Sequence, residues 1–217
     1  MKKLFLSLAV VASTMSFAQL SSIGFGVKGG VNVSTMNQKF DGKEIFDDAD
    51  ARIGFHAGVF LNIPLMGNLS VQPEVIYNNV GNKYEKEFDL PIIGKRKVGV
   101  KNNLDYVAVP VMLQYDIAQG LYLEAGPQFS FLLDQKNKFE GIDKDRIEDL
   151  GTAFVNLLHD KNDYKGFDLG LGVGAGYKLY KNIGINARYI VGLSNNSKLK
   201  DFDIKNNTFQ AGITLGF

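Results

Sequence analysis

The chain has 217 residues, with 24 Gly, 5 Pro, two His, no Cys and no Trp, and its 24 basic and 23 acidic side chains leave a net charge of +1. Without cysteine there is no disulfide framework, zinc finger or thiol nucleophile, and so small a charge lacks the basic excess that a nucleic-acid partner requires. A mean hydropathy of −0.05 excludes a bundle of membrane-spanning helices, each of which needs about 20 apolar residues in a row.

Met1-Lys2-Lys3 is a short basic start, Leu4 to Ala12 is an apolar run, and Ser16-Phe17-Ala18 has the small-x-small form of a cleavage site. This is the layout of a secretory signal, with an apolar core too short to span a bilayer. Residues 1–18 are therefore expected to be removed, leaving a mature domain over residues 19–217.

The remainder alternates apolar and polar residues in eight segments: 23–33, 52–63, 69–78, 106–115, 121–133, 167–179, 183–193 and 208–217. In the sixth, Phe167, Leu169, Leu171, Val173, Ala175, Tyr177 and Leu179 oppose Asp168, Gly170, Gly172, Gly174, Gly176 and Lys178. Period-two alternation predicts strands with one apolar face. A soluble sandwich would turn that face inward, whereas a membrane barrel would turn it toward lipid. Glycine placement decides. Fourteen glycines of these segments share the polar face and only Gly29 lies on the other. A solvated face gains nothing from glycine, which weakens strands, but a narrow barrel interior has room for only some large side chains.

The connections agree, alternating long (34–51, 79–103, 134–165, 194–207) and short (65–68, 116–120, 180–182). The expected architecture is all-β: an eight-stranded antiparallel up-and-down transmembrane barrel with both termini periplasmic and four long external loops. An even strand count lets the last strand close on the first. Outer-membrane lipid is then the solvent of the apolar face.

Besides Arg52 at the edge of its segment, six charges fall on the inward phase: Lys28, Glu74, Glu124, Asp168, Lys178 and Arg188. Unpaired burial is costly, so they are expected to pair and fill the lumen; a narrow polar passage is the functional alternative. His56 is expected to be a hydrogen-bonded interior residue. Gly24 to Gly29 and Gly170 to Ala175 match nucleotide-binding glycine patterns, but strand alternation runs through both, and no helix follows to meet a phosphate. The second long loop carries Lys83, Lys86, Lys95, Arg96, Lys97 and Lys101 against Glu85, Glu87 and Asp89. Lys95, Arg96 and Lys97 are the candidate contacts to anionic lipopolysaccharide. Asp47, Asp48 and Asp50 lack the spacing of a calcium loop, and no metal or cofactor is expected. In the third long loop Ile147, Leu150, Phe154, Leu157 and Leu158 repeat at helical spacing behind Asp145 and Glu148.

Gly26-Val-Lys-Gly-Gly-Val-Asn-Val-Ser34, Leu69-Ser-Val-Gln-Pro-Glu-Val-Ile-Tyr77, Leu104-Asp-Tyr-Val-Ala-Val-Pro-Val-Met-Leu-Gln-Tyr115 and Ala187-Arg-Tyr-Ile-Val-Gly-Leu193 resemble strand motifs of the PorT-like outer-membrane β-barrel family of Bacteroidota. The resemblance covers nearly all of residues 23–217 and implies an eight-stranded barrel in the cell outer membrane. Phe217, with Phe209, resembles the terminal aromatic signal read by the barrel assembly machinery. The family's namesake belongs to a protein-secretion system. The expected function is a structural or surface-interaction role through the outer loops, with surface or secretion-complex proteins as possible partners. A transport role, as a narrow channel or secretion-complex subunit, is the alternative; a lipid-modifying enzyme is the third reading. An enzyme is not expected, because Ser130 faces inward while His159 lies in a loop, so no Ser–His pair is in view.

Overall fold

Once apolar and polar side chains alternate, extended backbone can give each face its own solvent. The computed structural model describes residues 23–40, 43–44, 50–90, 94–140, 165–180, 182–197 and 202–217. Eight strands make the barrel: β1 (Gly24–Phe40), β2 (Asp50–Met66), β3 (Leu69–Leu90), β4 (Gly94–Ala118), β5 (Leu121–Glu140), β6 (Phe167–Tyr180), β7 (Ile183–Gly192) and β8 (Phe202–Gly216). A two-residue strand, Lys43–Glu44, pairs with the far end of β1. Every strand is antiparallel to its sequence neighbour, and β8 returns to β1 over the register Gly26–Gly216 to Phe40–Phe202. The sheet has no free edge, so its backbone polar groups are paired without help from solvent.

Gly24 and Phe217 lie at one end of the barrel, where the Phe217 amide donates to the Phe25 carbonyl at 2.7 Å. The tight turns lie at this same end. Two of them need glycine in the left-handed region, Gly67 at φ 56° and Gly120 at φ 85°. The long connections are at the opposite end. The expected signal segment, the expected helix of the third loop, His159, Asp47 and Asp48 fall outside the described residues.

The strands run further than the alternation suggested. β3 continues to Leu90 and β4 starts at Gly94, pairing from Asn79–Asp105 to Leu90–Gly94. Most of the expected loop 79–103 is thus a hairpin extension of the barrel. Alternation marks a strand only where one face meets lipid; beyond the hydrocarbon both faces can be polar while backbone pairing continues.

Burial is inverted relative to a soluble protein. β7 alternates exposed and buried at every residue, and Ile53 is 75% exposed while Arg188 is 1% exposed. Phe55, Leu171, Ile185 and Ile213 also stand outward, whereas Lys28, Asn32, His56, Glu74 and Gln210 are buried. Aromatic pairs mark both ends of the apolar belt. Phe25 stacks on Phe217 (5.7 Å) at the turn end. Phe55–Tyr77 (5.6 Å) and Phe131–Phe167 (5.5 Å) lie toward the loop end. Just beyond Tyr77 the surface turns polar, where Arg52 donates to Asn79 at 2.7 Å and Asn79 donates to Asp105.

Candidate functional site: the charged centre of the lumen

The inward side chains stack in layers. At the turn end a mouth of about 240 Å³ is lined by Phe60, Asn62, Gln72, Gln114 and Tyr122. Above it lies the charged centre, with one residue from each of β1, β3, β5 and β7. Arg188 reaches across the barrel from β7 to β3, four strands away in either direction. Its two terminal nitrogens donate to Glu74 Oε2 at 3.0 Å and Oε1 at 2.8 Å, and its Nε donates to Glu124 Oε1 at 2.7 Å. Lys28 Nζ donates to Glu74 Oε2 at 3.0 Å. Two neutral amides complete the set, Gln72 Nε2 to Glu74 Oε1 (2.9 Å) and Gln114 Nε2 to Glu124 Oε2 (3.0 Å). Two positive and two negative groups cancel, and each carboxylate is fully hydrogen-bonded. That is the condition under which a buried cluster of charges is tolerated.

Glycine makes the approach possible. A Cβ on Gly174 would sit 3.0 Å from Glu124 Oε1 and 2.5 Å from the Ala187 carbonyl oxygen, and one on Gly172 would press on Met112 and Arg188. The inward face of β6 is stripped so that Arg188 can lie flat across it.

Above the charges, His56 Nδ1 meets Asn32 Oδ1 at 2.8 Å, and Asn32 and Gln210 both donate to Asn78 Oδ1. Toward the loop end an apolar cluster of Val80, Leu104, Tyr106 and Ile204 closes the interior, with Leu132 against it. Among the described residues the lumen above the mouth is packed except for a cavity of about 20 Å³ beside Asp168.

Of the six inward charges, the structure joins Lys28, Glu74, Glu124 and Arg188. Asp168 lies apart, near the loop end, accepting from Ser194 and Asn206. Lys178 lies at the opposite rim, where Nζ is 3.0 Å from Asp116 Oδ1, about half exposed, and 5.7 Å from the Tyr122 ring centroid. The backbone of Lys95, Arg96 and Lys97 is in the β3–β4 extension, in register with Asp89, Phe88 and Glu87. Phe209 stands on the outward face and Phe217 ends the chain, 66% exposed. Both glycine-rich matches lie inside β1 and β6.

Sequence reasoning passed over Gln72, Gln114, Asn78 and Gln210, which share the inward phase but carry no charge. It also missed the apolar cluster, although carrying the phase past Asn78 and back before Tyr106 would have placed Val80 and Leu104 inside.

The outer membrane protein beta-barrel domain family matches residues 17–198. The chain belongs to that family. Its place is the cell outer membrane, and the match is to the family as a whole. No curated protein matches the chain by sequence. Among solved structures, this outer-membrane barrel is similar to Neisserial surface protein A at 12% identity, covering 89% of this chain and 97% of that one with a TM-score of 0.50. It is also similar to Ail, the attachment invasion locus protein of Yersinia pestis (15% identity, 89% and 98% covered, TM-score 0.43). These likenesses show the fold alone. A third neighbour corrects one expectation. The outer membrane protease OmpT from Escherichia coli is similar over 94% of this chain and all of that one (10% identity, TM-score 0.46). With a protease among the structural neighbours, the expectation that the chain is not an enzyme is withdrawn.

Proposed function

We propose that this barrel acts through its ends rather than through its interior. The lumen is a support with a packed, charge-neutral centre, and the outer strand extensions and loops are the working surface. The observation that carries this reading is Arg188, which bridges β7, β3 and β5 across the lumen's diameter while fully buried. An ion passing this level would have to break contacts that each leave a buried charge unpaired. In this reading the turn end faces the periplasm and the signal segment is removed on export. The strand motifs support placement in the PorT-like branch of Bacteroidota; a tree of full-length family members that set the chain outside that branch would reject it. Phe217 and Phe209 serve as the assembly signal.

The test is electrical. The refolded barrel in planar lipid bilayers should show no unitary conductance above the lipid baseline. Stable single-channel steps from the wild-type protein would replace this reading with transport through the lumen.

A further inference from the structure

Three carboxylates are buried among the described residues, and two of them, Glu74 and Glu124, meet a cation. Asp168 does not. It is 8% exposed, and its contacts are with neutral groups: Ser194 Oγ donates to Oδ1 at 2.7 Å and Asn206 Nδ2 to Oδ2 at 3.0 Å. Burying a lone charge is costly without a counter-charge. Two further oxygens beside it are also unanswered. Gln128 Oε1 and Asn206 Oδ1 accept no hydrogen bond, although their residues are only 5% and 8% exposed. The Asn206 amide is oriented by its nitrogen's bond to Asp168, so its oxygen cannot be exchanged for a donor without losing that bond. Asp168, Gln128, Asn206, Ser130 and Thr208 are among the residues that line a small cavity of about 20 Å³ beneath the apolar cluster, whose Val80 and Tyr106 also border it. That is room for one water-sized particle.

The chemistry of the lining selects its occupant. All the acceptors are hard oxygens, which favours an alkali or alkaline-earth ion over a transition metal. One negative charge is present, so a monovalent ion leaves the pocket neutral while a divalent one leaves a buried excess of positive charge. Water would satisfy the amide oxygens but leave the charge of the carboxylate without a counter-charge. We propose that Asp168, Gln128 and Asn206 form a binding site for one small monovalent cation of the sodium class, which completes charge neutrality in the loop-end half of the lumen.

The full-length barrel in detergent micelles tests this by thermal unfolding in sodium chloride against N-methyl-glucamine chloride of equal ionic strength. Sodium should raise Tm in a saturable manner, by about 5–10 °C at a concentration a hundredfold above its Kd. Asp168→Asn, which keeps the shape of the side chain, should remove the difference between the two salts. Because that variant could fold poorly, sodium-23 NMR of the wild type provides a second reading: line broadening that lithium displaces and the organic cation does not. Equal Tm in the two salts, a larger effect from calcium than from sodium, or broadening that persists in a folded Asp168→Asn barrel would each overturn the proposal.

Discussion

Arg188 and Lys178 occupy the same inward phase of neighbouring strands, yet their surroundings differ completely. Arg188 donates three hydrogen bonds to two buried carboxylates, whereas Lys178 and Asp116 pair at an exposed rim. Breaking a buried pair by removing one member leaves an uncompensated charge and costs about 3–5 kcal/mol; an exposed pair is worth no more than about 1 kcal/mol. Arg188→Met should therefore lower the urea-unfolding free energy of the micelle-bound barrel by about 3–5 kcal/mol, and Lys178→Met by less than about 1 kcal/mol. Equal losses in the two variants would mean that the central network is not a coupled unit. The inward direction of all six charges was legible in the sequence, because it needs only the period-two phase. Which of them meet was not. Meeting depends on height along the barrel, set by strand register. That puts Lys28, Glu74, Glu124 and Arg188 on one level, Asp168 near one end and Lys178 at the other.

At the scale of the element, the eight strands announced themselves wherever lipid imposes alternation, and fell silent beyond it. β7 was read almost to the residue, since its whole length lies within the apolar belt. The outer parts of β3 and β4 were read as loop, because there the odd positions, apolar in the lipid belt, become charged at Lys83, Glu85, Glu87 and Asp89. Their pairing places Lys95 opposite Asp89 and Lys97 opposite Glu87 in register, with residues 79–103 carrying six basic against three acidic side chains. We propose that this hairpin meets the anionic headgroups of lipopolysaccharide. Each basic residue near an anionic surface contributes about 1 kcal/mol. Replacing Lys95, Arg96 and Lys97 together with Gln should thus weaken lipopolysaccharide binding roughly a hundredfold and leave barrel stability unchanged. An unaltered lipopolysaccharide affinity in that triple variant would exclude the hairpin as the contact.

For the whole molecule, two opposite solvents explain the design. Lipid outside accepts Phe, Ile and Val at positions where a soluble protein would place Lys or Glu. The interior, too narrow for water in quantity, is filled by alternating glycines with a few large polar groups. Glycine on the polar face was the sequence signal that separated this arrangement from a sandwich, and the fold followed from it. What closes the loop end was harder to read, since Val80, Leu104 and Ile204 lie beyond the alternating segments and join only through strand pairing.

The most direct measurement uses the absence of cysteine from the natural chain. Single cysteines along β7, placed in an otherwise unchanged barrel in lipid bilayers, can be reacted with a small charged methanethiosulfonate and with an apolar maleimide. Cysteines at Ile185, Ala187 and Tyr189 should react only with the apolar reagent. Those at Asn186 and Ile190 should react with neither until urea unfolds the barrel. Rapid modification of the cysteines at 186 and 190 by the charged reagent would show a water-filled lumen and contradict the account.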